Sequence, residues 1–99
     1  MEIRIEPRKI MDTISLEDES RVSVRLYNLK SNAIVFDMFR TECSCTRVEA
    51  KSMVLYPNDS LSLDIIFRPY GKGIFEEMIR LITNDLDRPY FIVSSYYVK

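Results

Sequence analysis

Apolar and polar residues alternate through much of this chain, in short runs bounded by Asn, Asp, Pro and Gly. Alternation at period two marks half-buried strands, because successive side chains of an extended chain point to opposite faces. The run from Ser60 to Arg68 sets Leu61, Leu63, Ile65 and Phe67 on one face and Ser62, Asp64 and Arg68 on the other. Arg21 to Leu26 repeats the pattern, with Val22, Val24 and Leu26 inward and Ser23 and Arg25 outward. Past a turn through Lys30-Ser31-Asn32, Ile34, Phe36 and Met38 share a face opposite Asp37, and the two runs read as a hairpin.

Residues 76–83 and 90–98 are rich in β-branched and aromatic types, which suit a pleated surface, and the polar segment 84–89 connects them. Shorter strands are expected at Glu2 to Ile5, Thr13 to Leu16, Arg47 to Ala50 and Met53 to Leu55. No long window carries an apolar stripe at helical spacing. Seven to eight strands with frequent turn signals predict an all-β protein, an antiparallel sandwich rather than a parallel α/β sheet. Only two glycines serve these turns, so Asn32, Asn58 and Asn84 are expected to take over glycine's left-handed conformations. Tyr56-Pro57-Asn58-Asp59 is a turn with proline at its second position, and Gly71-Lys72-Gly73 reads as a hairpin connection.

Ninety-nine residues make one domain, 1–99, large enough for a modest core but too small for two. With 46% hydrophobic and 29% charged residues the chain belongs with folded globular proteins, not disordered ones. A net charge of -1, with basic residues scattered and densest at Arg4, Arg8 and Lys9, argues against nucleic-acid binding. No apolar stretch approaches the roughly 20 residues of a membrane-spanning helix. The first residues lack the apolar core of a leader, and Met1 is compatible with a natural start or with a removed leader.

Candidate chemistry concentrates in FRTECSCTRVEA, where Cys43 and Cys45 are the only cysteines of a chain without histidine. In extended chain the two Cα atoms would lie roughly 6.5 to 7 Å apart, at the limit for a disulfide, so a bond requires a bent loop. Closing so short a loop stabilises by only about 1.6 kcal/mol on chain-entropy grounds. A zinc site needs two further ligands, from carboxylates or a second chain, whereas two thiolates alone suit Cu(I). The expected state is two free thiols, one a small buried hydrophobe and the other in the turn; metal binding at Cys43 and Cys45, thiol-redox chemistry and partner contact stay open as alternatives. No cofactor is expected.

Without histidine, Ser-His-Asp and Cys-His catalysis are excluded, although Ser-Lys and carboxylate mechanisms are not. Glu76 and Glu77, neighbours on a strand, point to opposite faces and are expected as solvated edge charges, not a paired acid and base. The chain is therefore expected not to be an enzyme. Core packing is the expected role of the aromatics Tyr90, Phe91, Tyr96 and Tyr97 in the last strand; alternation buries about half of them, and Tyr90, Tyr96 and Tyr97 are kept as candidates for partner binding. Were that strand at a sheet edge, it could pair with another chain, giving an edge-strand homodimer in place of a monomer.

In order along the chain, Tyr27-Asn28-Leu29-Lys30-Ser31-Asn32, Thr41-Glu42-Cys43-Ser44-Cys45-Thr46, Pro57-Asn58, and Gly73-Ile74-Phe75 running to Asn84-Asp85 form a pattern. It resembles the bacterial domain-of-unknown-function family numbered 1573, whose members carry a Cys-Gly-Cys-Thr motif in an immunoglobulin-like β-sandwich. The likeness covers residues 20 to 98, with Ser44 and Asn58 standing where that family has glycine. It implies an immunoglobulin-like sandwich without an established reaction, in an extracytoplasmic setting. The combined expectation is a non-enzymatic structural or protein-interaction module with a protein partner; the alternative is a small Cu(I)-binding or thiol-redox domain using the cysteine pair.

Overall fold

The computed structural model of the protein describes residues 3–85 and 90–99. Among the described residues there are nine strands and no helix: β1 (Ile3–Glu6), β2 (Lys9–Ile14), β3 (Ser20–Asn28), β4 (Ile34–Arg40), β5 (Thr46–Ala50), β6 (Val54–Leu55), β7 (Ser60–Phe67), β8 (Gly73–Thr83) and β9 (Tyr90–Val98). They form a four-stranded sheet, β1-β3-β7-β5, and a five-stranded sheet, β2-β9-β8-β4-β6. The expected sandwich is present, with one strand more than the seven to eight predicted and with one parallel pair, β2 beside β9.

The alternating faces pack against one another. Leu61, Leu63, Ile65 and Phe67 of β7, Val24 and Leu26 of β3, Ile79 and Leu81 of β8 and Ile92 of β9 are all in the core. Phe67 and Tyr96 bind the two sheets together, their rings stacked with centroids 4.1 Å apart.

Four local expectations are corrected. The runs β3 and β4 are not a hairpin, because they lie in different sheets. Asn28 fixes the crossing: it is fully buried, its Nδ2 donates to the carbonyls of Asn32 and Leu55, each at 2.9 Å, and its Oδ1 accepts from the Lys30 amide. Gly71-Lys72-Gly73 likewise joins β7 to β8 across the sheets, and Gly73 holds φ 119°, a backbone conformation that residues with a side chain rarely adopt. In β4 a bulge between Phe36 and Met38 inserts one residue into the alternation, so Met38 faces solvent and Phe39 packs on the core in its place. Finally, β9 is no edge; it lies between β2 and β8, and the edges are β1, β5, β2 and β6.

Of the three asparagines expected to substitute for glycine, only Asn58 has positive φ, at 62°. Asn84 instead clamps β8 to β4, its Oδ1 accepting from the Val35 amide and its own amide donating to the Val35 carbonyl. The early strand expected at Thr13 to Leu16 lies at Lys9–Ile14, after a cis Glu6-Pro7 bond where the chain changes sheets. Residues 86–89 of the expected connection lie outside the described residues.

Candidate functional site

The chain leaves β4 at Arg40 and turns sharply before entering β5 at Thr46. The Thr46 amide donates to the Cys43 carbonyl at 3.1 Å, the Thr41 hydroxyl donates to the same carbonyl, and the Arg68 amide donates to the Cys45 carbonyl at 2.9 Å. This curl brings the Cα atoms of Cys43 and Cys45 to 5.1 Å, and the two are joined in a disulfide. The expectation of free thiols is thus corrected, for a reason the extended-chain estimate omitted: the segment is a turn. As a disulfide neither sulfur offers a thiolate to a metal, and the described residues contain no cluster of three or more metal-ligating side chains. The Cys45 amide donates to Cys43 Sγ at 3.1 Å.

Two clefts meet at the bond. One, of about 520 Å³, is lined by Cys43, Ser44, Cys45, Arg47, Arg68, Pro69 and Tyr70. The other, of about 200 Å³, places both cysteines with Glu42, Glu77, Phe67, Phe75 and Tyr96. Glu77 is therefore not a solvated edge charge; β8 is an inner strand and its alternation turns Glu77 inward. Its Oε2 accepts from the Glu42 amide at 3.3 Å while Glu42 Oε1 accepts from the Met78 amide at 2.6 Å, a reciprocal pair that ties the cysteine turn to β8. Glu77 Oε1 and the Tyr96 hydroxyl are buried with no hydrogen-bond partner among the described residues. Burial pushes the Tyr96 phenol up to about 12, Glu77 and Asp12 add to the rise, and the Ser20 and Ser94 hydroxyls oppose it without making a bond of ordinary geometry.

Of the three tyrosines kept as candidates for partner binding, two are in the core, the default reading for these aromatics: Tyr96 is 1% exposed and Tyr90 5%. Tyr97, at 51%, does face solvent. It belongs to a larger surface on the outer face of the five-stranded sheet, where register sets Ile74 beside Tyr97, Met78 beside Val93, Met38 beside Ile82 and Arg80 beside Phe91. Met11, on the parallel edge strand, extends the surface and is 73% exposed. Arg40 and Arg80 lie opposite one another on this face, and neither has an ion pair among the described residues. A groove of about 310 Å³ runs along Met78, Arg80, Ile82 and Phe91.

The outer face of the four-stranded sheet is its opposite in chemistry. Arg21 bonds Glu49 and Asp64, Ser23 donates to Asp64, Arg4 pairs with Glu6 over the Tyr27 ring, and Arg47 pairs with Glu19 and Glu49. The Ser23 hydroxyl and then Arg21 hold the Asp64 carboxyl below its ordinary range against the opposing effect of desolvation; the bond to Glu49 leads in raising Arg21.

Residues 10–94 match the HYDIN/CFA65/VesB-like, Ig-like domain family. The chain belongs to that family. No curated protein matches it. Solved structures place this Ig-like domain beside a protein of unknown function from Porphyromonas gingivalis (TM-score 0.84, 13% identity, 96% of this chain and 46% of that one). They also place it beside the ASH/PapD-like domain 7 of human CEP192 (TM-score 0.78, 11% identity, 99% and 85%) and the VesB protease of Vibrio cholerae (TM-score 0.66, 12% identity, 99% and 32%). The domain thus spans less than half of the Porphyromonas protein and about a third of VesB. At these identities the likeness is one of fold. The expectation of an immunoglobulin-like sandwich holds, and the family matched is the HYDIN/CFA65/VesB-like one.

Sequence reasoning missed Met11, Met38 and Ile74 as surface residues. Ile74 opens an alternation whose partner residue Tyr97 had been singled out, so the pairing β8–β9 would have found it. Met38 was hidden by the bulge, which alternation alone does not reveal.

Proposed function

We propose that this Ig-like domain is a non-enzymatic protein-interaction module whose contact surface is the outer face of its five-stranded sheet. The observation that carries the reading is the asymmetry of the two outer faces: one closed by paired charges, the other apolar with an arginine couple that has no ion pair among the described residues. Like charges in opposite register are unfavourable alone, and a carboxylate seated between them reverses that. The partner is therefore a protein segment with an acidic residue flanked by apolar ones, its carboxylate on Arg40 and Arg80 and its apolar side chains on Phe91, Met38 and Ile82. Exposed methionines suit such a surface, since their flexible thioethers repack against different shapes. The likeness to family 1573 and its extracytoplasmic setting belong to the same proposal, and a disulfide fits an oxidising compartment.

The test is titration of isotope-labelled domain with peptides carrying Asp or Glu between Phe, Leu or Met. Shifts at Phe91, Arg80 and Met38 that vanish in Arg80→Glu are expected. Shifts confined to the four-stranded sheet, or none with any acidic-apolar peptide, would overturn the reading.

A further inference from the structure

We propose that Cys43–Cys45 is an exchangeable disulfide that accepts two electrons from a protein dithiol entering the larger cleft beside it. Three observations support this. First, the turn does not depend on the bond: the amides of Thr46 and Arg68 and the Thr41 hydroxyl hold its carbonyls, and closing a three-residue loop removes little chain entropy. Second, the bond is reachable, because both cysteines are only half-buried and line an open cleft with exposed Ser44. Third, the larger cleft carries the positive side chains, while the carboxylates of Glu42 and Glu77 line the smaller one. Arg68, without an ion pair among the described residues, lines the cleft with Arg47, and the Cys45 amide already donates to Cys43 Sγ.

The two sulfurs have different roles. Cys45 packs against the core, whereas Cys43 lies between the exposed Glu42 and Ser44. A partner thiolate attacks Cys43 Sγ, forming a mixed disulfide and breaking the Cys43–Cys45 bond; Cys45 leaves as a thiolate and takes a proton from water. The partner's second thiolate attacks its own sulfur in the mixed disulfide and closes the partner's disulfide. Cys43 leaves as a thiolate, with the Cys45 amide and Arg68 stabilising it, and is protonated in turn. The partner gives up two electrons and two protons, and the domain gains both. Low leaving-group pKa speeds each exchange.

The experiment follows reduction of the oxidised domain by a synthetic Cys-x-x-Cys peptide dithiol, read by intact mass and free-thiol count. The folded domain is expected to react about tenfold or more faster than the same chain unfolded in urea, and Arg68→Ala to slow it several-fold. With the oxidised peptide, Cys45→Ser should accumulate a one-to-one adduct on Cys43, and Cys43→Ser should not. A folded domain that reacts no faster than the unfolded chain, or equal adducts on both variants, would overturn the proposal. The comparison of folded and unfolded natural chain decides the matter even if a serine variant fails to fold. Arg80→Glu should leave the exchange rate unchanged, which separates this site from the peptide-binding face.

Discussion

The two outer faces of this sandwich are built from the same alternation, yet one is saturated with charge pairs and the other exposes methionine, tyrosine, isoleucine and phenylalanine. The four-stranded face spends its polar side chains on one another across β3, β7 and β5, so little is left to recognise a partner. On the five-stranded face Arg40 and Arg80 have no ion pair among the described residues, and Met11, Ile74, Phe91 and Tyr97 are exposed. A sandwich needs only its inner faces to fold, and the outer faces are free to differ in what they meet.

The contrast can be tested from the core outward. Both faces rest on the Phe67–Tyr96 stack, and Phe67→Ala should lower unfolding free energy by about 3–5 kcal/mol in a denaturant titration, collapsing both together. Ile66 is next. It is fully buried although it points away from the main core, between Arg21 and Arg47 in register, where arginine stems shield it. Ile66→Ala should cost about 2–4 kcal/mol, whereas Met11→Ala on the apolar face should stay within about 0.5 kcal/mol. If the two substitutions cost the same, the faces do not differ as described.

Smaller effects come from pH. The Tyr96 phenol titrates near 10 in the unfolded chain and about 12 when folded, so the unfolded state releases its proton first. Stability should therefore be full below pH 10 and fall as pH rises towards 12, and Tyr96→Phe should remove that slope while leaving neutral-pH stability unharmed, since the hydroxyl is unpartnered. Asp64 acts in the opposite sense: its carboxyl is lowered, so its contribution is present above the ordinary aspartate range and lost as pH falls through its folded value. Asp64→Asn should flatten the acid limb slightly, and less so in high salt, because the pair with Arg21 is exposed. The smallest stability change is expected for Tyr97→Ser, which should leave the denaturation midpoint nearly unchanged while weakening capture of an acidic-apolar peptide.

Much of the fold was legible because alternation is a local property. β9 was read with its observed bounds, and the inward set Leu61, Leu63, Ile65 and Phe67 was found complete on its face. The candidate site was legible only in fragments. Tyr97 is exposed, as a contact residue must be, whereas Tyr90 and Tyr96 face the core, because the phase of β9 relative to the core is not legible in the alternation alone. Cys43 and Cys45 were recognised as the one chemical feature of the turn, and their joining depended on a curl that extended geometry does not contain.

By itself the sequence determined that short strands would form, which residues of the regular strands β3 and β7 turn inward, and that Pro57-Asn58 would make a left-handed corner, since these follow from side-chain periodicity and backbone sterics within a few residues. Tertiary structure alone decided which sheet each strand joined. Asn28 sends β4 across the sandwich, the glycine segment sends β8 after it, and β2 runs parallel to β9. Those choices are made by partners far apart in the chain, and they determine that Ile74, Tyr97, Phe91 and the two arginines share one face while the disulfide opens into a cleft at another position.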